Sequence, residues 1–129
     1  MTGETDLAIL IRDMRPELNA GEYVFCTLDP NEKPADLEAL ASFREKEGLT
    51  VILPRGEADR AGLPYSFVAA WITLNVHSAL EAVGLTAAVS QALALAGISC
   101  NVVAAYHHDH LFVPPGEARR ALQVLQGMK

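Results

Sequence analysis

The order of apolar runs in the second half of the chain most constrains the fold. Phe67–Val76 has the length and composition of a strand, and the Ala- and Leu-rich run from about Gly84 to Ala96 has helical spacing. Two strand-like runs follow, Ser99–Tyr106 and Leu111–Val113, and a second helical stripe lies in Gly116–Gln126. Each helix has one apolar stripe, which needs a sheet to cover it. We therefore predict a strand–helix–strand–strand–helix unit.

This order is that of a ferredoxin-like α+β unit without its last strand. The N-terminal half is expected to supply an edge strand in its place, and Tyr23–Leu28 and Leu49–Leu53 are the candidates. At 129 residues the chain has room for one ordinary domain or for two small ones that share a core. We assign residues 1–64 to an N-terminal half and residues 65–129 to the strand–helix–strand–strand–helix unit.

Shorter elements are predicted in the N-terminal half. Leu7–Met14 has helical spacing, and Pro16 ends the pattern because the residue before a proline disfavours helix. Ala39–Phe43 is compatible with helix or strand, and we favour strand because a following strand would complete a hairpin. Gly56–Ala61 is predicted to form a short helix before the break at Gly62.

The charge of the chain argues against several classes of partner. The formal net charge is −6 and no run of basic residues occurs, so we expect no binding to nucleic acid or to an anionic membrane surface. No apolar run approaches the length that spans a bilayer, and the N-terminus does not resemble a signal peptide. We therefore expect a cytoplasmic protein. No sequence feature calls for a cofactor.

The cysteines, Cys26 and Cys100, lie within the apolar runs YVFCTL and ISCNVV. A thiol in such a run usually packs as a small hydrophobic group. We predict core thiols rather than a disulfide or a nucleophile.

Several short motifs in the second half resemble the ACT domain family of amino-acid-binding regulatory modules. They are Ala70–Asn75, Gly84, Ala96–Ile98, Asn101–Val103 and His108–Pro114. The combination is similar to small bacterial tandem-ACT proteins and to the ACT modules of an animal cytosolic arginine sensor. The resemblance covers roughly Phe67 to Pro114 closely, and the N-terminal half resembles a partner ACT module with weaker motifs. It therefore implies an ACT-type βαββα unit packed with a second, ACT-like half.

The resemblance also implies a site. ACT domains commonly hold a ligand at an interface between two modules, by the turn after the first strand and the start of the second. In this chain these segments are His77–Thr86 and Ser99–Asn101, and Asp109 corresponds to an aspartate in a hairpin turn of the arginine-sensor modules. The implied ligand-binding residues are Ser78, Glu81, Val83, Gly84, Leu85, Ser99, Cys100, Asn101 and Asp109.

The residues themselves leave alternatives open for part of this set. Ser78 and Glu81 have the spacing of a capping box, which would satisfy a helix start without any ligand. The same groups suit an amino acid, since free amides at a helix start attract a carboxylate and Glu81 can pair with an ammonium group. Asn75 and Asn101 interrupt apolar strands, where a buried amide must find a partner, so we predict that both contact a ligand or a neighbouring module.

The cluster His107–His110 contains the densest set of possible metal ligands. Strand alternation, however, would place His108 and His110 on one face and the other two residues on the opposite face. A solvated hairpin turn is therefore the preferred interpretation. Trp71 lies in an apolar strand and is interpreted as a core or interface anchor.

No common catalytic motif occurs, and we predict that the chain is not an enzyme. The predicted function is that of a regulatory or sensor protein that binds a small molecule and acts through an unknown protein partner. The expected ligand is an amino acid. A homodimer is expected, because ACT modules associate through their sheets and an edge strand favours pairing. The alternatives are a ligand-free interaction module and, less favoured, a small metal-binding protein.

Overall fold

A computed structural model describes residues 6–31, 37–76 and 82–129. The chain forms two compact units. The first comprises Met1–Ala20 and Ala70–Lys129, and the second comprises Gly21–Ala69. The first unit is therefore built from both ends of the chain. The division at residues 64 and 65 stays a prediction.

The helices and strands match the predicted types closely. In chain order they are α1 Leu7–Asp13, β1 Arg15–Leu18, β2 Tyr23–Leu28, β3 Ala41–Arg44, β4 Leu49–Pro54, α2 Arg55–Arg60, β5 Val68–Asn75, α3 Leu85–Leu95, β6 Asn101–Ala104, β7 Asp109–Val113, the 3-10 turn Pro115–Glu117 and α4 Ala118–Gln126. The α+β prediction is confirmed, and the ambiguous run around Ala41 is a strand.

The sheet of the first unit has the order β1–β5–β7–β6, and all of its pairs are antiparallel. The strand that completes the predicted strand–helix–strand–strand–helix unit is β1, which pairs with β5 from Arg15↔Asn75 to Leu18↔Ile72. The expectation that Tyr23–Leu28 pairs with β5 is met only at the start of β5, at Val68 and Ala69, and Leu49–Leu53 pairs with β2 and β3 instead. Pro16 was interpreted only as the end of a helix, although proline is also tolerated in a strand at the end of a sheet.

One face of this sheet is covered by α1, α3 and α4. Alternate residues of β5 and β7 point to that face because side chains in a strand alternate between its two sides. Both predicted helical stripes contribute to the core, and so does α1. The buried side chains are Leu10, Met14, Ala70, Ile72, Leu74, Leu85, Val89, Leu93, Ile98, Leu111, Val113, Ala118, Ala121 and Leu125. Burial of each leucine-sized side chain contributes about 1.5–3 kcal/mol, so this core dominates the stability of the unit.

The second unit has the strand order β3–β4–β2, and β2 also pairs with the start of β5 at Val68 and Ala69. Its core lies between one face of the sheet and α2, where Ala58 is fully buried. The thiol of Cys26 belongs to this core, as predicted. Gly48, in the β3–β4 turn, lies so close to β2 that an added Cβ would be 2.5 Å from the carbonyl oxygen of Leu28.

Among the described helices, none is long and apolar enough to cross a membrane.

Candidate functional site

The candidate site lies at the end of the first unit's sheet where β5 finishes and β7 begins. Asp109, the first residue of β7, is paired with Leu74 of β5 on one side and with Ala104 of β6 on the other. Asn75 is the last residue of β5, and the chain then continues to the start of α3 at Leu85. Strand register thus places Asp109 beside the last residues of β5.

The carboxylate of Asp109 is half-buried. Burial raises its pKa above the ordinary value, while the nearby His110 and His108 rings act in the opposite direction. Across the part of the chain that the structure describes, no hydrogen bond or ion pair reaches this carboxylate. Asp109 is therefore a partly desolvated carboxylate without a hydrogen-bonded or ion-paired partner among the described residues.

Gly84 caps the N-terminus of α3 with a left-handed backbone, φ +104°. Glycine is suited to this position because a Cβ is strained at such a φ. A Cβ added here would also lie 3.1 Å from Cδ2 of Leu7. Since glycine has no side chain to accept a bond from the first amides of α3, these N–H groups and the positive end of the helix dipole favour an anion.

The neighbours of Gly84 differ in exposure. Val83 is 83% exposed, whereas Leu85 is buried in the core of the unit. Leu85 therefore packs against the sheet, and any contact that it makes with a ligand is through its backbone. Ser78 and Glu81, the predicted capping box, lie outside the described residues.

Asn75 has a partner within the protein. Its Nδ2 donates a hydrogen bond to Oε1 of Glu17 at 2.9 Å, across the β1–β5 pair. Asn75 and Leu74 are adjacent in the strand, so their side chains point to opposite faces. The amide of Asn75 therefore faces away from the side on which Asp109 lies.

Ser99, Cys100 and Asn101 lie at the opposite end of the sheet. Asn101 pairs with Phe112, whereas Ala104 pairs with Asp109, so the length of β6 separates Asn101 from Asp109. At a rise of about 3.3 Å per residue this separation is roughly 10 Å. Cys100 is half-buried, and burial raises the pKa of its thiol. Within this unit the structure does not bring these three residues together with Asp109.

The face of the sheet opposite the helices carries a polar network that the sequence analysis missed. Nε1 of Trp71 donates a hydrogen bond to Nδ1 of His110 at 3.0 Å, and Oγ1 of Thr73 lies 3.3 Å from the same nitrogen. Nδ2 of Asn19 donates to Oγ1 of Thr73 at 2.9 Å. Trp71 and Thr73 are two residues apart in β5, so strand alternation could have placed both side chains on one face of the sheet.

The histidine-rich turn does not form a metal site among the described residues, since no group of three His, Cys, Asp or Glu side chains there is arranged to hold an ion. His107 is exposed, and its ring packs edge-on against Tyr106 with centroids 5.0 Å apart. Nδ1 of His108 lies 3.5 Å from the carbonyl oxygen of Val76. This interaction connects the β6–β7 turn to the end of β5.

Each of the two units packs one or more helices against one face of an antiparallel sheet. The chain belongs to the ACT domain family, since one ACT domain family model matches residues 2–70 and a second matches residues 66–127. ACT domains are regulatory modules. The resemblance inferred from the short motifs is thereby confirmed, and it extends over the N-terminal half.

Solved structures of similar fold agree with this assignment. A Vibrio cholerae protein of unknown function, described as a possible transport protein, is 50% identical over 95% of this chain and 94% of its own, with a TM-score of 0.84. A protein from Agrobacterium tumefaciens is 18% identical over 89% of this chain and 88% of its own, with a TM-score of 0.70.

The regulatory subunit of aspartate kinase from Thermus flavus is 10% identical over 88% of this chain and 95% of its own, with a TM-score of 0.65. At this identity the similarity concerns the fold alone. No curated protein matches the sequence.

Proposed function

We propose that this protein is a regulatory ACT protein that binds a small amino acid at the Asp109 end of its first unit and transmits the bound state to a protein partner. The half-buried carboxylate of Asp109, with no partner among the described residues, is the observation that carries the proposal. Partial burial of an unpaired carboxylate costs free energy of desolvation, and an ion pair with a bound cation offsets this cost. The α-ammonium group of an amino acid is such a cation.

The start of α3 supplies the complementary half of the site. An α-carboxylate is favoured by free amides at a helix N-terminus, and α3 is an 11-residue helix with glycine at its cap. Gly84 itself has no side chain that could accept a bond from these amides. An anionic Asp109 and a positive helix end together favour a zwitterion over a simple amine or a simple acid.

The response to the ligand passes to another chain in this proposal. The matched family is regulatory, and the similar fold of an aspartate kinase regulatory subunit agrees with a role of this kind. We propose a homodimer, since β6 is a short end strand with exposed residues and such edges pair readily. The site requires no cofactor, and we propose a cytoplasmic location, where free amino acids are plentiful.

A thermal-shift screen of the common amino acids tests this function. A ligand that binds only the native state must raise the melting temperature, by an amount that grows with its concentration. We expect one amino acid or a small group of related ones to do so. If none stabilises the protein, the ligand-free interaction module becomes the better description.

A further inference from the structure

The second unit contains an open groove of about 720 Å³ that has no role in the proposed amino-acid site. One side of the groove is formed by β2 and its neighbour β4, and the other by the segment that leads into β5. The lining residues are Phe25, Cys26, Thr27, Glu45, Thr50, Pro64, Tyr65 and Ser66. Thr27, Glu45 and Ser66 are exposed at the rim, whereas Cys26 is buried. The groove thus has a polar rim around more apolar walls.

The two aromatic rings that line the groove, those of Tyr65 and Phe25, are held by contacts with other side chains of the unit. The hydroxyl of Tyr65 donates to Oδ1 of Asp59 at 2.7 Å and accepts a bond from Nε of Arg55 at 3.0 Å. Arg55 is itself paired with Glu22. On the opposite side, the ring of Phe25 packs against Phe67 with centroids 6.0 Å apart. These contacts fix the rings before any ligand binds, which lowers the entropic cost of binding.

The charge at the rim comes from Glu45. Its Oε1 accepts a hydrogen bond from the hydroxyl of Thr50, and its backbone N–H donates to the carbonyl oxygen of Gly48 at 2.9 Å. Gly48 permits the close approach of this turn to β2, as the position of Leu28 shows. The Glu45 carboxylate is therefore held through Oε1, and no hydrogen bond or ion pair among the described residues reaches Oε2.

We propose that this groove binds a compact primary alkylammonium ion. An ammonium group has three donors, which suit a carboxylate together with the hydroxyls of Thr27, Thr50 and Ser66. The short alkyl stem then lies along the half-buried rings of Phe25 and Tyr65.

The same groove is unsuited to a free amino acid. Its described lining residues include no Lys, Arg or His, so an α-carboxylate would face Glu45 without a cationic partner. The ligand class therefore differs from that of the Asp109 site, and the two proposals stand or fall separately.

A nuclear magnetic resonance titration with n-butylamine, n-butanol and butyrate at neutral pH tests the groove, because the three probes differ mainly in charge. We expect n-butylammonium to shift the backbone amides of Phe25, Thr50 and Ser66, n-butanol to shift them weakly and butyrate to leave them unchanged. Absence of these shifts with n-butylammonium, or equal shifts with n-butanol, would overturn the proposal.

Matched variants locate the site. Glu45→Gln should weaken n-butylammonium binding roughly tenfold or more, because a charged hydrogen-bond partner is lost. Glu47→Gln removes a carboxylate from the same turn but outside the groove, and it should bind normally. Asp109→Asn should also bind normally. Ser66→Phe, which fills the groove at an exposed position, should abolish binding, and normal binding by this variant or by Glu45→Gln would refute the assignment.

Discussion

Nε1 of Trp71 donates a hydrogen bond to Nδ1 of His110 at 3.0 Å, and their ring centroids are 5.7 Å apart. The pairing is diagonal, since the backbone partner of His110 is Thr73 and that of Trp71 is Phe112. A nitrogen that accepts a hydrogen bond from an indole cannot carry a proton. The neutral His110 ring therefore carries its single N–H proton on Nε2. One hydrogen bond thereby fixes both the tautomer of His110 and the position of the indole.

This pair predicts a pH dependence of stability. Burial lowers the pKa of His110 below its ordinary value of 6.5, and the neighbouring His108 adds to this effect while Asp109 opposes it. A histidine with a lowered folded-state pKa binds protons more readily when unfolded, so stability is full above about pH 6.5 and falls as the pH decreases towards the folded-state pKa. Indole fluorescence should change over the same range, because protonation of Nδ1 breaks the bond to Trp71, the single tryptophan.

The variant His110→Gln provides the control for this prediction. It should flatten the fluorescence titration and reduce the loss of stability in mildly acidic solution, both measured by equilibrium unfolding with urea. A titration that is unchanged in His110→Gln would assign the transition to another group.

Gly84→Val should destabilise the protein by about 1–3 kcal/mol, the range for a strained backbone position. The reason is twofold, since the φ of +104° is unfavourable for valine and a Cβ would approach Leu7 closely. We also expect the amino-acid-induced rise in melting temperature to disappear. Urea unfolding and a thermal-shift assay measure the two effects.

Gly116→Val is the matched control, because nothing lies within 4 Å of its added Cβ. It should change stability little and leave the ligand response intact. If Gly84→Val keeps the native ligand response, the site does not include the start of α3.

Zinc or nickel should bind at most weakly. The histidine-rich turn separates its side chains, as the exposed His107 and the Trp71-bonded His110 show. Metal content measured by mass spectrometry on protein prepared without a histidine tag checks this expectation. One tightly held ion per chain would contradict it.

The element types were predictable because apolar periodicity and turn residues determine them locally. The strand β1 was missed because its sequence, RPEL, shows no apolar alternation and pairs with β5 through contacts far away in the chain. The bond between Trp71 and His110 was missed for the same physical reason, since it spans 39 residues and depends on the register of two strands.

The predicted site residues are divided by that same register. Asp109 and Asn75 lie at one end of the sheet, whereas Asn101 lies at the other. Sequence spacing cannot reveal this separation, because it follows from how β6 pairs with β7. The roles of Ser78 and Glu81 stay predictions.

The central claim is tested most directly by isothermal titration calorimetry. The wild-type protein and Asp109→Asn are each titrated with the amino acid that gives the largest rise in the wild-type melting temperature. Burial raises the pKa of Asp109, so folding disfavours its charged form. The neutral carboxyl therefore contributes stability at low pH, and this contribution is lost as the pH rises through the folded-state pKa. Asp109→Asn should therefore melt at the same or a higher temperature at neutral pH, while its affinity for the amino acid falls roughly tenfold or more. Native affinity in Asp109→Asn, together with a normal melt, would contradict the proposed site.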